Sequence, residues 1–281
     1  MLVDQVRDAV GASAAYFLAD GIACDLPLPD TKHTNRELMA LARLVLASQP
    51  VDVVVQDAEF RRKSILLADM DSTMIQQECI DELADAAGVG DDVSAITAKA
   101  MRGELDFEAA LNERVGLLKG KPAGLIDTVL EQRITLMPGG RELVATMKAN
   151  GAYCALVSGG FTQFTSAVAA KLGFDENRAN TFHISNGLFD GTVQPPILGR
   201  EAKVDALRDI CNRRNQDTDD VIAVGDGAND LGMLGEAGSG VALHAKPVVA
   251  ESAKIRIDHG DLTALLYIQG YRKTDFHVTA N

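Results

Sequence analysis

The chain has 281 residues, a formal net charge of −13 at pH 7, 47% hydrophobic residues and a mean hydropathy of +0.02. This composition predicts a globular fold with a large core, in one large domain or a few smaller ones, and the negative charge argues against nonspecific binding to nucleic acid. No stretch approaches the ~20 apolar residues of a membrane helix, and the first residues are acidic where a signal peptide is basic, so we expect a cytoplasmic protein without a membrane partner.

Residues 1–63 are separate from the rest of the chain and contain no pattern that indicates chemistry. Within them we expect a strand near 15–20, a helix over 36–47 and a strand over 51–55. We therefore treat this stretch as a short amino-terminal α/β region without an assigned role.

From Ser64 onward, apolar β-type runs alternate with helical patterns, which predicts an α/β fold with a Rossmann-like parallel sheet that is covered on both faces. The runs span 65–68, 152–157, 221–224, 240–243 and 254–257. Residues 180–193, with Asn186-Gly187 at the centre, predict a β-hairpin that turns on a type I′ pair.

Roughly eighty residues separate the first two of these runs, far more than a simple crossover requires. Within this stretch, residues 76–132 are rich in Ala, Glu, Leu and Lys with helical spacing, as at Ile80 and Leu83. We predict a small helical cap here, inserted into a catalytic core of residues 64–75 and 133–281. A cap that closes over the strand ends would exclude water.

The most informative feature is a pair of aspartates, Asp69 and Asp71, that follows the first apolar run and precedes Ser72 and Thr73. In a strand, residues i and i+2 point the same way, so both carboxylates face one space at the strand end, where open α/β sheets bind ligands. One carboxylate can attack as a nucleophile while its neighbour transfers a proton, and two like charges so close require a cation. The alternative is a strand that runs into a capped turn.

Two further segments carry groups for an anionic ligand, which a chain of this charge would otherwise repel. Ser158 ends an apolar run and precedes Gly159, so its hydroxyl and the following amides could hold a phosphate at a helix N-terminus. Lys203 could bring a positive charge to that phosphate. Taken alone, Ser158 could also be an ordinary helix start and Lys203 a solvated helix lysine.

Asp226 and Asp230 flank a glycine-rich turn after the third apolar run, and their hard carboxylate oxygens suit Mg²⁺. The same segment imitates a dinucleotide fingerprint, because Gly225 and Gly227 begin a G-x-G-x-x pattern after a strand. The third glycine position holds Asp230, however, and an acidic side chain beside a pyrophosphate is repelled. A dinucleotide-binding oxidoreductase or a nucleotide sensor would also leave the aspartate pair and the helix lysine unexplained.

Together and in this order, the four segments resemble the motifs of the haloacid dehalogenase superfamily of phosphohydrolases. The motifs are Asp-x-Asp-Ser-Thr, a strand that ends in Ser, a helix Lys, and Gly-Asp-Gly-x-Asn-Asp, which spans 225–230 here. The dehalogenases of that superfamily lack the second aspartate and its phosphate-transferring members carry it, so Asp71 indicates phosphate chemistry. The resemblance implies that Asn229 and Asp230 orient the metal and the phosphate from close by.

Within that superfamily, the chain resembles the phosphoserine phosphatase family over residues 64–267, approximately. The cap signature of that family is present as Glu78-Cys-Ile-Asp-Glu, then Met101 to Phe107, then Arg114. In the family, the matching glutamate and arginine hold the amino and carboxylate groups of serine, and the matching Met and Phe close over it. By resemblance, these four residues would bind the substrate; exposed helix charges and a phenylalanine of the cap core are the alternatives.

The resemblance implies a Mg²⁺-dependent phosphatase that converts O-phospho-L-serine to L-serine and phosphate, the last step of serine biosynthesis. Asp69 would attack phosphorus to form an aspartyl-phosphate, and Asp71 would protonate the leaving oxygen and then activate water. Asp69, Asp226 and the carbonyl of Asp71 would hold Mg²⁺, while Ser158, Gly159 and Lys203 stabilise the phosphoryl oxygens. The alternatives are that the substrate is another small phosphomonoester, or that the phosphoryl group is transferred to an acceptor alcohol instead of water. The cap residues would determine which of these reactions takes place.

Overall fold

The structure is a computed structural model in which residues 2–28, 32–101 and 104–278 are described, with only the backbone described for Met101. The helices are α1 Leu2–Val10, α2 Asn35–Leu46, α3 Cys79–Ala87, α4 Gly90–Met101, α5 Phe107–Gly116, α6 Leu125–Gln132, α7 Gly140–Ala149, α8 Thr162–Leu172, α9 Arg200–Arg214, α10 Leu231–Glu236, α11 Pro247–Ser252 and α12 Ala264–Ile268. The strands are β1 Tyr16–Ala19, β2 Ala23–Asp25, β3 Ile65–Ala68, β4 Tyr153–Phe161, β5 Glu176–Asn180, β6 Phe182–Ser185, β7 Leu188–Val193, β8 Val221–Gly225, β9 Ser239–Leu243 and β10 Ile255–Ile257. In the described ranges, every helix is too short or too polar to cross a bilayer.

Six strands form one parallel sheet in the order β10-β9-β8-β3-β4-β5. β3 lies at the centre between β8 and β4, with Ala68 level with Val224 and Leu156. Alternate residues of β3 enter two separate cores, because Leu66 packs with residues of α7 and α8 on one face and Leu67 with residues of α9 and α10 on the other. The predicted α/β fold with a parallel sheet covered on both faces is confirmed.

Several predicted elements agree closely with the structure. The strands predicted over 65–68 and 221–224 are confirmed by β3 and β8. The hairpin is formed by β6 and β7, and its turn residues Asn186 and Gly187 have φ values of 52° and 77°, the left-handed conformation that a type I′ turn requires. β4 differs, because it continues beyond its predicted end as far as Phe161.

The amino-terminal region differs more. β1 and α2 match the predicted strand and helix, but the predicted strand over 51–55 is wrong, and α1 and β2 are elements that the prediction omitted. The 51–55 segment is held by side-chain contacts to the core instead of by strand pairing. Asp52 accepts hydrogen bonds from the backbone N–H groups of Asp258 at 2.8 Å, His259 at 3.1 Å and Gly260 at 2.7 Å.

Four helices, α3 to α6, lie between β3 and α7. Within this group α3 packs against α4 and α6, and α4 packs against α5. The chain enters and leaves the group at adjacent points, because Ile75 forms an antiparallel bridge with Leu136. Beside it, the Gln77 side chain accepts a hydrogen bond of 2.9 Å from the Thr135 N–H. The four helices are therefore joined to the sheet through a narrow double connection.

The β6–β7 hairpin ties the same helices to the core at a second place. The Gly120 N–H donates to the Phe189 carbonyl at 2.8 Å, and the Phe189 N–H donates to the Lys121 carbonyl at 3.0 Å. The Ala123 N–H donates to the Gly187 carbonyl at 2.8 Å. These bonds hold the turn between α5 and α6 against the hairpin.

We predict that Asp52 stabilises the attachment of the amino-terminal region. Asp52→Ala removes the acceptor of three backbone N–H groups, so we expect the free energy of unfolding in urea to fall by about 1–2 kcal/mol. Asp57→Ala is a matched control, since Asp57 is exposed, and it should stay within about 0.5 kcal/mol of the wild type. Equal unfolding free energies for the two variants would contradict the prediction.

Candidate active site

The candidate active site lies where the carboxyl ends of β8, β3 and β4 meet. Asp69 follows β3, Ser158 lies near the end of β4, and Asp226 follows β8. These strands are parallel neighbours, so their ends lie side by side. The Asp69 N–H donates to the Val224 carbonyl at 3.0 Å, which continues the pairing of β3 and β8 up to the site.

Lys203 is buried between two carboxylates, with 2% of its side chain exposed. Its Nζ lies 2.7 Å from Asp69 Oδ1 and 2.6 Å from Asp230 Oδ1. Asp230 Oδ2 accepts a hydrogen bond of 2.9 Å from the Gly227 N–H. Lys203 is therefore an interior cation at Asp69, and the alternative of a solvated helix lysine is wrong.

The crowding of carboxylates perturbs their protonation. Burial and the neighbouring Asp230 raise the pKa of Asp69 well above its usual value. Burial raises the pKa of Asp226 to about 6. Burial alone would lower the pKa of Lys203, but Asp69 and Asp230 raise it overall, so the lysine stays charged. One lysine therefore compensates only part of the negative charge.

Asp71 faces the same space from the turn after β3. Its Oδ1 accepts a hydrogen bond of 2.9 Å from the N–H of Cys79, the first residue of α3, and its Oδ2 accepts one of 3.5 Å from Ser158 Oγ. Burial, followed by the charge of Glu78, raises the pKa of Asp71 to about 6. A Cβ on Gly160 would lie 2.8 Å from Asp71 Oδ2, so glycine is needed there for the carboxylate to reach Ser158.

Three buried aspartates, Asp69, Asp226 and Asp230, have carboxylate oxygens within 4.8 Å of one another. Both oxygens of Asp230 are already hydrogen bonded, one to Lys203 and one to Gly227. Among the described residues, Asp69 Oδ2 has no hydrogen-bond partner, and the Asp226 carboxylate has only distant ones at 3.3 Å or more. Asp69 and Asp226 thus retain oxygen atoms that fit a hard divalent cation.

Phe107, the first residue of α5, reaches the site from the inserted helices. A Cβ on Gly159 would lie 3.4 Å from the Phe107 ring, and a Cβ on Gly199 would lie 3.6 Å from it. The ring therefore lies beside the backbone of β4 at Gly159 and of the turn before α9 at Gly199. The Met101 side chain, which the sequence also places here, lies outside the described part of the structure.

Two charged groups of opposite sign lie on the same helices. Glu78, the N-cap residue of α3, is exposed and accepts a hydrogen bond of 3.1 Å from Ser72 Oγ. Arg114 of α5 is half-buried, and its Nε donates to the Ala110 carbonyl at 3.2 Å. Burial lowers the pKa of Arg114, and the acidic residues that it faces oppose this effect. An ammonium and a carboxylate of one ligand could meet these two groups.

Three further residues contribute to the site although the sequence analysis did not select them. Thr73 Oγ1 donates to Asp226 Oδ1 at 3.3 Å, and Lys246 Nζ lies 3.8 Å from Asp226 Oδ2. Asn180 is buried at the end of β5, and its Nδ2 donates to the Gly159 carbonyl at 2.8 Å. The position of Thr73 in the Asp-x-Asp-Ser-Thr motif was a usable signal. The sequence contains no such signal for Asn180 and Lys246, because only the tertiary fold brings these two residues to the site.

Asn229 lies in the turn that follows β8, half-buried, with its side chain beside the Cα of Gly227. It is therefore on the same edge of the sheet as Asp226. The carboxylate cluster within 4.8 Å includes Asp230 and not the Asp71 carboxylate. The contribution of the Asp71 backbone carbonyl to a metal site stays a prediction.

Comparisons with known proteins agree with this geometry. The chain is 42% identical over 228 residues to phosphoserine phosphatase SerB2 of Mycobacterium tuberculosis. The aligned residues make up 80% of this chain and 56% of that protein. It is 45% identical over 220 residues to a phosphoserine phosphatase of Haemophilus influenzae. Here the aligned residues make up 77% of this chain and 70% of that protein. The chain thus spans just over half the length of the first relative.

A solved structure of a phosphoserine phosphatase with a phospho-aspartyl intermediate analogue superposes with a TM-score of 0.68 at 39% identity, covering 73% of this chain and 98% of that chain. The model of the haloacid dehalogenase-like hydrolase family matches residues 66–235, which include the site residues placed above except Lys246. Fold, site and sequence agree, and the chain belongs to the haloacid dehalogenase-like hydrolases.

Proposed function

We propose that this protein hydrolyses O-phospho-L-serine to L-serine and phosphate, the last step of serine biosynthesis, in the cytoplasm and without a nucleic-acid or membrane partner. One observation carries the proposal: a buried aspartate beside a buried lysine, Asp69 and Lys203, shares a site with two oppositely charged groups of the inserted helices, Glu78 and Arg114, whose charges both act on the Asp71 region. The phosphate of the substrate would lie at the first pair and its amino-acid end at the second. The similarity to phosphoserine phosphatases supports this substrate.

Asp69 is the proposed nucleophile. Its carboxylate attacks phosphorus, and the bond from phosphorus to the serine oxygen breaks as the aspartyl-phosphate forms. The ion pair of 2.7 Å with Lys203 favours the ionised carboxylate, which burial alone would disfavour. Ser158 Oγ and the Gly159 N–H stabilise the phosphoryl oxygens from the side of β4.

Asp71 is the proposed general acid and base. In its protonated form it donates a proton to the leaving serine oxygen, and the carboxylate that remains accepts a proton from the water that attacks the aspartyl-phosphate. That attack releases phosphate and restores Asp69. A pKa of about 6 makes both forms of Asp71 accessible near neutral pH, as this double role requires.

The donor set fits Mg²⁺, with Asp69, Asp226 and the Asp71 backbone carbonyl as the proposed ligands. When bound, Mg²⁺ would neutralise excess negative charge and polarise the phosphoryl group. Asp230 supports the site indirectly, because its bond of 2.6 Å holds Lys203 in place next to the nucleophile.

The helices α3 to α6 are the proposed substrate-selecting part. We assign residues 76–132 as a cap and residues 64–75 with 133–281 as the catalytic core. The planar guanidinium of Arg114 matches a carboxylate, and Glu78 can pair with an ammonium. These two groups would distinguish phosphoserine from phosphomonoesters that lack an amino-acid end, while the Phe107 ring and Met101 would cover the bound serine.

We predict different phosphoenzyme levels for the two aspartate variants. Asp69→Asn should give no phosphoenzyme, because the amide is a poor nucleophile. Asp71→Asn should still be phosphorylated but lose a factor of ~10² to 10⁴ in kcat. Intact-mass spectra of enzyme quenched with substrate and Mg²⁺ measure the added phosphoryl group. A phosphoryl group on Asp69→Asn would place the nucleophile elsewhere.

We also predict that Arg114→Ala lowers kcat/KM for phosphoserine by ~30-fold or more, because a buried charged contact to the substrate is lost. Phosphoethanolamine keeps the amine and lacks the carboxylate, so it should be a poor substrate and lose little more in the variant. Arg133→Ala, at an exposed arginine that directly follows α6 and pairs with Glu82 of α3, is the matched control. Equal losses on both substrates would make Arg114 a structural or phosphate-facing residue.

A third prediction concerns pH and metal. The folded-state pKa values of Asp71 and Asp226 are about 6, above the ordinary value of 3.8, so the metal-free protein loses stability as pH rises through that window. Mg²⁺ binds only deprotonated ligands, so it should raise Tm more at about pH 7.5 than at about pH 5. Calorimetry with Mg²⁺ or EDTA measures this, and Asp226→Asn should weaken the effect. Equal Mg²⁺ shifts at both pH values would refute the linkage.

A further inference from the structure

Asp81 carries a buried carboxylate oxygen that the proposed reaction leaves unused. It lies in the first turn of α3, three residues after Glu78 and on the same side of the helix. Its Oδ1 is buried and has no hydrogen-bond partner among the described residues. Because a buried carboxylate oxygen without a donor costs free energy, this atom requires a partner in some state of the protein.

Arg114 is the cation that faces this carboxylate from α5. Its Nε is taken by the Ala110 carbonyl at 3.2 Å, and its terminal nitrogens make no hydrogen bond to a described residue. Burial lowers the pKa of Arg114, and attraction to Asp81 opposes this more strongly than attraction to Glu78. Reciprocally, burial raises the pKa of Asp81, and Arg114 is the cation that counteracts it. Among the acidic residues that act on Arg114, Asp81 has the largest effect, and Arg114 is the cation that acts on Asp81.

Glu78 and Asp81 differ in what they can bind. Glu78 is exposed and already accepts a hydrogen bond from Ser72, so a substrate ammonium can approach it from the open side of the site. Asp81 is half-buried with one enclosed oxygen, so its partner must come from within the helices. The guanidinium of Arg114 is the donor group that meets this condition.

We propose that Asp81 is a positioning residue for Arg114 and orients its guanidinium toward the substrate carboxylate. This inference rests on the proposed function, in which Arg114 binds that carboxylate. The two terminal nitrogens carry four N–H donors, so one can donate to Asp81 Oδ1 while the fork between them meets the substrate. With Nε bonded to the Ala110 carbonyl and one terminal nitrogen bonded to Asp81, the guanidinium is held at two edges and its third edge faces the substrate carboxylate.

The test compares two variants of Asp81 on two substrates. Asp81→Ala removes the acceptor and should raise KM for phosphoserine about tenfold while kcat changes less than about twofold. Asp81→Asn keeps the shape and one acceptor oxygen, so it should have a smaller effect. For phosphoethanolamine, kcat/KM should change less than about twofold in both variants, because no substrate carboxylate is present. Glu113→Gln, at an exposed residue next to Arg114, is the matched control and should leave both substrates unaffected.

A double-mutant cycle separates positioning from other roles. In the Arg114→Ala background, Asp81→Ala should add no further loss with phosphoserine, since Asp81 acts through Arg114. Additive losses would overturn the proposal, and so would equal losses on both substrates, which would mean that Asp81 binds the ammonium or supports the fold. Circular dichroism checks folding, and the isosteric Asp81→Asn carries the comparison if the alanine variant unfolds.

Calorimetric titration with L-serine tests this inference separately from the proposed function, because it measures binding without the reaction. A wild type that binds L-serine but releases no phosphate from phosphoserine would contradict the proposed function alone. The inference predicts about tenfold weaker L-serine binding by Asp81→Ala, since the carboxylate contact is present in the product as well. Unchanged L-serine affinity in that variant would overturn the role of Asp81.

Discussion

Lys203 brings one buried positive charge to a place where several carboxylates converge, and the chemistry of the site depends on that imbalance. Asp69 and Asp230 contact it directly, and Asp226 and Asp71 lie at the same edge of the sheet. If all four carboxylates were ionised, Lys203 would compensate one negative charge and the exposed Lys246, 3.8 Å from Asp226, only part of another. An enclosed site holds the remaining negative charge only at high cost. Protons can compensate it in acid, and a divalent cation can do so near neutral pH. The imbalance thus accounts both for the raised pKa values and for the fit to a metal.

The sheet makes this crowding possible. β3 is buried on both faces, with Leu66 and Leu67 in separate cores, so the position of its last residue is fixed by packing on either side. The inserted helices approach the same edge, where the Phe107 ring lies beside Gly159 of β4. In the proposed function, the chemistry takes place at the strand ends and the helices select the substrate. The hydrogen bonds at Phe189 join these two parts.

The sequence was sufficient where the governing rule is local. Apolar runs located β3 and β8, and Asp69 and Asp71 follow β3 as expected, although the strand ends at Ala68, before either of them. Lys203 needed more, because an isolated helix lysine favours solvent and only the order of the motifs connected it to Asp69. Asn180 had no pattern, and Asp81 lay in the cap signature without an assigned role, since the partners of both residues are distant in sequence and meet them only through packing. For residues 51–55 the local pattern was misleading, because the valines favour a strand but tertiary contacts override that preference.

Anomalous diffraction from crystals grown with Mn²⁺ at neutral pH tests the charge imbalance most directly, because Mn²⁺ shares the preference of Mg²⁺ for oxygen ligands. The account predicts one strong peak at about 2.2 Å from carboxylate oxygens of both Asp69 and Asp226, and no such peak in Asp226→Asn. A peak that lies away from these two residues, or no peak in a protein that is active with Mn²⁺, would contradict it.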